Sequence, residues 1–343
     1  MFECGMRWAS QSVAIDDGAL PGLQRVGLVR SVRTPQFDGI TFHEVLCKSA
    51  LNKVPNAAML PFRYTVNGYR GCSHACRYCF ARPTHEYLDL DCGTDFDTQV
   101  VVKVNVADVL RRELRRPSWT RETVALGTNT DPYQRAEGRY ALMPDIIRAL
   151  ADSHTPFSIL TKGTLLRRDL PLIRDAAQQV PVSVAVSLAV GDADLHRSVE
   201  PGTPTPEARL ALISSIREAG LDCHVMVAPV LPYLTDSTDH LDDLLGRIAA
   251  AGATGVTVFA LHLRGSTRGW FMNWLARTHP QLVTPYRQLY RRGAYLPACY
   301  REELQDRVVP LIAKHRLNRR ERPLPARPRA AEPAEPVQPS LFD

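Results

Sequence analysis

Tyr64-Thr65-Val66-Asn67-Gly68-Tyr69-Arg70-Gly71-Cys72-Ser73-His74-Ala75-Cys76-Arg77-Tyr78-Cys79-Phe80 runs from a strand-like segment straight into a C-x3-C-x2-C knot. Cys72, Cys76 and Cys79 therefore share one loop at a strand end, and thiols grouped in this way make an open-sided metal site. An iron–sulfur cube takes four ligands, so three cysteines leave one iron free for a cofactor. A Cys3His zinc site using His74 draws on the same ligand types. Zinc modules more often pair two C-x2-C arms, and no second arm follows within a knuckle's length. A disulfide framework fits less well. Eight cysteines in 343 residues are sparse, and Met1 to Ser10 has no basic segment leading into an apolar core. Cys4, Cys47, Cys92, Cys223 and Cys299 stand alone and read as ordinary buried or surface residues.

Outward from the knot, apolar runs alternate with helical periodicity. Tyr64 to Arg70, Val124 to Gly127, Phe157 to Lys162, Val182 to Leu188, Cys223 to Val230 and Val256 to Leu263 read as strands. Asn105 is expected to cap a helix carrying Val106, Val109, Leu110 and Leu114, with Pro117 just past its end. A second helix over Asp239 to Ala251 places Leu241, Leu244, Leu245 and Ile248 at core spacing. Six strand–helix units with near-continuous apolar strands imply an α/β fold with a parallel sheet buried on both faces, a partial (β/α)6 TIM-like barrel. Active sites of such barrels lie at the carboxyl ends of the strands. Polar residues gather at those ends here: the cysteines, Thr128-Asn129-Thr130-Asp131, Lys162, Ser187, and His262 with Arg264.

The cysteine spacing, with an aromatic before the third cysteine, resembles the signature of the radical S-adenosylmethionine (SAM) superfamily. That resemblance implies a [4Fe–4S] cluster on Cys72, Cys76 and Cys79, SAM as cofactor, and reductive cleavage of SAM to a 5′-deoxyadenosyl radical. Methionine's amine and carboxylate ask for oxygen acceptors and a cation. Thr130, Asp131, Lys162 and Ser187 are of those types, although a strand-end lysine can equally serve as a capping salt bridge. Tyr64 to Cys72, Ala81 to Tyr87, Gly127 to Gln134 and Leu160-Thr161-Lys162 are similar to the spore photoproduct lyase-like, "DNA repair photolyase" branch, over about residues 60 to 265. The resemblance implies that Thr130 and Asp131 match SAM contacts at the amine end, and that Lys162 and Ser187 hold the carboxylate. Spore photoproduct lyases carry a hydrogen-donating cysteine where Asn129 stands in this chain. An amide has no weak S–H bond to yield to a carbon radical, and Cys223, at the start of its strand, is badly placed to substitute.

Apolar residues make up 45% and charged residues 23% of the chain, and no apolar run approaches the roughly 18 residues of a membrane span. Both features fit a soluble cytoplasmic enzyme and no membrane partner. The net charge of +6 is uneven: Tyr286 to Arg322 holds ten Lys/Arg against four Asp/Glu. Such a block is a solvated helix face or a phosphate-binding surface. Residues 1–60 form an N-terminal accessory segment, with a strand and helix over Phe37 to Leu51. Residues 61–265 form the barrel, and 266–322 a helical basic extension whose Trp270, Phe271, Trp274 and Leu275 read as core rather than base-stacking side chains. Residues 323–343 are Pro-rich and expected to be disordered. The ending Gln338-Pro339-Ser340-Leu341-Phe342-Asp343 resembles the peptide that docks on the bacterial replication sliding clamp. Three functions follow as expectations: radical SAM chemistry of a lyase-like, DNA-repair kind on nucleic acid, with a flavodoxin or ferredoxin as electron donor; radical SAM modification of a peptide or small metabolite; or a non-catalytic metal-containing nucleic-acid binder.

Overall fold

The computed structural model describes residues 27–55 and 60–318. The expectations placed on residues 1–26, on Arg319 and Arg320, and on the tail with Gln338 to Phe342 lie outside the described residues.

Apolar alternation builds a seven-stranded sheet from β3 (Leu51–Lys53), β4 (Tyr64–Val66), β7 (Val124–Leu126), β8 (Phe157–Thr161), β9 (Val182–Ser187), β10 (Cys223–Val230) and β11 (Gly255–Ala260). Its order is β11-β10-β9-β8-β7-β4-β3. The strands from β4 to β11 are parallel, and β3 closes the near edge in antiparallel register with β4. A second sheet, β1-β2-β6-β5, joins β1 (Leu28–Val32), β2 (Thr41–Val45), β5 (Tyr69–Arg70) and β6 (Gln99–Lys103). The array is thus α/β with six parallel strands, as expected, and among the described residues the two edges of the large sheet do not pair.

Register decides what each face carries. Val66, Leu126, Ile159, Val184 and Cys223 lie in one cross-strand row and are buried in the main core. The neighbouring row on the opposite face is Thr65, Ala125, Ser158 and Ser183. A closed TIM barrel fills this inner face with branched apolar side chains. Small and polar residues here leave room instead, and Phe259 on β11 stays 56% exposed.

The helices follow their sequence cues with some exceptions. Helix Pro206–Glu218 starts at Thr205, whose hydroxyl accepts from Ala208 N, with proline at the first helical position. Helix Thr238–Ala250 is capped by Ser237 and buries Leu241, Leu244, Leu245 and Ile248, each contributing about 1.5–3 kcal/mol of apolar burial. Asn105 precedes helix Val106–Leu114 but makes no side-chain cap. Its amide bonds both ways with the Cys47 backbone, at 2.8 and 3.0 Å, and so ties the second sheet to this helix. The expected strand from Tyr64 to Arg70 breaks at Asn67-Gly68, because β5 leaves to pair with β6. The helix expected within Phe37 to Leu51 does not form; a 3-10 turn at Pro35–Phe37, β2 and the start of β3 occupy that stretch. Phe271, Trp274 and Leu275 are buried core side chains of helix Thr267–Thr278. Helix Ala298–Lys314 packs on helix Thr238–Ala250 and edge strand β11.

Candidate cofactor site

The cysteine loop is held by buried polar side chains. Gln134, fully buried, accepts from Ser73 N at 3.0 Å and donates to Gly71 O at 3.0 Å. The Arg82 guanidinium, also fully buried, donates to Cys76 O, Cys92 O and Gly93 O and pairs with Asp97 at 2.8 Å. Thr267 Oγ1 donates to Cys79 O, and the segment after β9 closes the far side through Arg77 N to Val199 O and Gly202 N to His74 O. A Cβ on Gly202 would stand 2.0 Å from Ser73 O, so this close approach requires glycine.

The three thiols are enclosed and sense one another. Burial raises each of their pKa values; Asp131 and Cys76 add to the effect at Cys72, and Glu200 adds to it at Cys76. Thiols held protonated in this way become ligands only when a strong cation displaces their protons. His74 is engaged elsewhere, its Nδ1 lying 3.4 Å from Asp131 Oδ2. Among the described residues no three His, Cys, Asp or Glu side chains converge as ligands of a single ion. The donor set of three cysteines without a fourth suits a cluster that spreads its thiolates over separate irons and keeps one iron open.

Asp131 links the strand ends. Its Oδ1 accepts from Tyr133 N (2.9 Å) and Thr161 Oγ1 (2.5 Å), and its Oδ2 from Lys162 N (2.6 Å). Burial opposes its ionisation, but His74 and these donors outweigh it and hold the carboxyl below its ordinary value. Thr130 Oγ1 donates to Tyr69 O. Both side chains are thus engaged within the protein, bridging β5, β7, β8 and the cysteine loop.

Lys162 and Ser187 come together at 2.7 Å, at adjacent strand ends. The Lys162 ammonium also donates to Glu200 Oε1 at 3.1 Å and to Tyr78 Oη at 3.2 Å. Glu200 is fully buried, accepts from Tyr78 Oη, and pairs with the fully buried Arg209 at 2.6 Å. Burial would raise the Glu200 carboxyl; the Arg209 and Lys162 charges overcome this and hold it well below the carboxylate range. His196 lies 3.7 Å away, and burial lowers its pKa toward the neutral form. Two cations thus share the Glu200 carboxylate, with Lys162 as the partly exposed member, and the Asp131 carboxylate lies at the same strand end. Glu200 and Arg209 escape detection in the sequence. Neither carries a motif, and the only local signal is the Pro201-Gly202 turn that brings Glu200 under the cysteine loop.

His262 and Arg264 sit apart from this cluster, near Phe80 and Tyr295 on the rim: the His262 ring is 6.0 Å from Phe80 and 5.8 Å from Tyr295. Burial pulls the Arg70 guanidinium below its ordinary value, and Tyr87 opposes the shift. In the basic extension, Lys314 pairs with Asp242 at 2.6 Å and Arg307 with Asp236 at 3.9 Å, whereas Arg287, Arg291, Arg292 and Arg316 are solvent-facing. No helix among the described residues is long and apolar enough to cross a membrane.

A parallel sheet open at the mouth, a thiol triad in the loop after β5 and a buried cluster of Lys162, Glu200 and Arg209 beside it make up the candidate cofactor site. The Radical SAM superfamily model matches residues 66–245, and the chain belongs to that superfamily, whose members use a [4Fe–4S] cluster and SAM. A protein of Mycobacterium tuberculosis (strain H37Rv) is 80% identical over 98% of this chain and 100% of its own length. A protein of Methanocaldococcus jannaschii is 26% identical, covering 56% of this chain and 69% of its own. Among solved structures, a cysteine-to-serine mutant of spore photoproduct lyase superposes with a TM-score of 0.61 at 16% identity, over 80% of this chain and 79% of that one. The same lyase complexed with dinucleoside spore photoproduct gives 0.60 at 15%, over 80% and 79%. The likeness to the lyase is one of fold.

Proposed function

We propose that this radical SAM enzyme binds its [4Fe–4S] cluster through Cys72, Cys76 and Cys79 and acts on nucleic acid. When bound, the cluster and SAM supply one-electron cleavage of a carbon–sulfur bond and a 5′-deoxyadenosyl radical. The chain's own residues bind and orient. Lys162, steadied by Ser187, Tyr78 and Glu200, offers its positive charge to the methionyl carboxylate of SAM. Thr130 and Asp131 support the amine end by fixing the loop that joins β7 and β8 to the cysteine knot. The observation that carries this reading is the Lys162–Glu200–Arg209 cluster beside Cys76 of the thiol triad.

The nucleic-acid substrate is supported by the solvent-facing arginines at 287, 291, 292 and 316 and by the fold shared with a lyase that takes dinucleoside spore photoproduct. Asn129, in place of a cysteine, argues for a reaction that ends without a hydrogen atom from that position. A flavodoxin or ferredoxin is the proposed electron donor, and the cytoplasm the proposed compartment. The Gln338 to Phe342 peptide is proposed to dock on the sliding clamp, on its sequence alone. Anaerobic reconstitution with iron and sulfide, then assay of 5′-deoxyadenosine with and without DNA, tests the function. Iron uptake with SAM cleavage is expected; stoichiometric zinc with no iron uptake refutes it. For the tail, residues 334–343 should bind purified clamp, and Leu341→Ala and Phe342→Ala peptides should not.

A further inference from the structure

We propose that a pocket of about 360 Å³ at the seam between the two sheets seats one nucleotide unit of the substrate, its phosphate on Arg70 with Lys103 beside it. The proposal rests on the nucleic-acid reading above and adds where, and by which residues, the chain is gripped. The pocket is lined by Asn52 and Thr65 of the main sheet, Asn67, Tyr69 and Arg70 of the crossing to β5, Lys103 of β6, and Thr128 and Asn129 beyond β7. It lies at the strand mouth: the residues after Asn129 are Thr130 and Asp131, which connect to Lys162 and the cysteine loop.

Three observations identify the occupant. The first is charge: the lining includes Arg70 and Lys103, the latter already engaged within the protein, and no carboxylate. Arg70 is largely enclosed, forms no ion pair among the described residues, and has the Tyr87 phenol and the His85 ring as titratable neighbours. An enclosed guanidinium without a counterion is costly, and its planar fork matches phosphate oxygens in bidentate fashion. The second is Asn67 Oδ1, buried with no hydrogen-bond partner among the described residues. With its side chain turned toward the pocket, that acceptor would meet a donor, which an internucleotide phosphodiester lacks and a base N–H or sugar O–H supplies. The third is size. The volume lies within the roughly 300–1,000 Å³ of small-molecule sites, large enough for more than a bare phosphate. Tyr69 turns its hydroxyl away, donating to the buried Glu137 at 2.5 Å, and leaves almost no surface in the pocket.

The test uses cluster-loaded protein under anaerobic conditions, with four probes: inorganic phosphate, thymidine, thymidine 5′-monophosphate and a short single-stranded oligodeoxynucleotide. Arg70→Gln and Lys103→Gln should each lower oligonucleotide affinity about tenfold and flatten its salt dependence by about one unit. Thr128→Asp, which puts a carboxylate in the pocket, should weaken binding without touching either cation. Cluster absorbance and SAM affinity should stay at parent values in all three, which separates the effect from misfolding. Thymidine monophosphate should compete better than phosphate or thymidine alone. If the parent binds the oligonucleotide and all three variants match it in affinity and salt slope, the pocket is not the seat and the nucleic-acid reading survives. If the parent ignores the oligonucleotide but binds the monophosphate in an Arg70-dependent way, the nucleic-acid reading fails and the seat stands. Failure of every probe on the parent overturns both.

Discussion

Replacing Glu200 by Gln should destabilise the fold by about 3–5 kcal/mol, the range for breaking one partner of a buried ion pair. Glu200 and Arg209 are both fully buried and 2.6 Å apart, and the second carboxylate oxygen faces Lys162 at 3.1 Å. Removing the charge leaves Arg209 of helix Pro206–Glu218 without a counterion, its remaining acceptors the glutamine amide oxygen and the Ser187 carbonyl at 3.0 Å. Against a total stability of about 5–15 kcal/mol, a loss of that size is conspicuous. Lys162, partly exposed, can find water, so its share of the cost is small. The double variant Glu200→Leu with Arg209→Met removes both charges and should recover most of the loss, because the pair then has no unpaired member. Urea midpoints of parent, Glu200→Leu, Arg209→Met and the double give the coupling directly. Acid titration gives a second reading. The Glu200 carboxyl is held below its ordinary value of 4.5, so its stabilisation is present above that pH and lost as pH falls further; Glu200→Gln should lack that part of the decline. A coupling below about 1 kcal/mol, no larger than a surface pair, would refute the claim that this buried network frames the site.

Replacing Cys72, Cys76 or Cys79 by Ala should abolish both cluster absorbance and SAM cleavage under anaerobic reconstitution. Lys162→Ala should weaken SAM binding by about one to two powers of ten, from the roughly 1.5–3 kcal/mol of a charge-assisted hydrogen bond, while sparing the cluster; unchanged affinity would show that the carboxylate sits elsewhere. Burial lowers the His85 pKa to about 4, its Nε2 donating to Gln99 O under the cysteine loop. The neutral ring therefore supports the fold above 6.5, and about 3 kcal/mol should be lost as pH falls from 6.5 to about 4. Denaturation midpoints of parent and His85→Gln across that window should converge toward the acid end. Neutralising Arg287, Arg291 and Arg316 together should lower DNA affinity and reduce its salt slope by about one unit for each phosphate that the variant no longer engages.

Much of this architecture is written in local pattern. Five of the six expected parallel strands lie within a few residues of their predicted bounds, because an apolar run bounded by polar strand ends reports burial on both faces. The breaks come where distant partners decide. β5 separates from β4 only because β6 stands ready to pair with Tyr69 and Arg70. Asn105 forgoes its cap because the Cys47 backbone, 58 residues away in sequence, offers its amide both a donor and an acceptor. Neither event leaves a trace in a short window of sequence.

The site divides along the same line. Cysteines, a strand-end lysine and a serine declare themselves by type and position, whereas Glu200 and Arg209 resemble any surface pair until the fold buries them. That burial explains what the polar inner face is for. On the function proposed above, a lumen filled with valine and isoleucine would gain apolar contacts but leave no place for the charged amino acid and nucleoside of SAM. Here Thr65, Ala125, Ser158 and Ser183 keep branched apolar bulk off that face, and Glu200 holds Lys162 and Arg209 at its mouth. The fixed charge stays in place before any ligand arrives, so the reorganisation cost of recruiting it falls on folding rather than on binding.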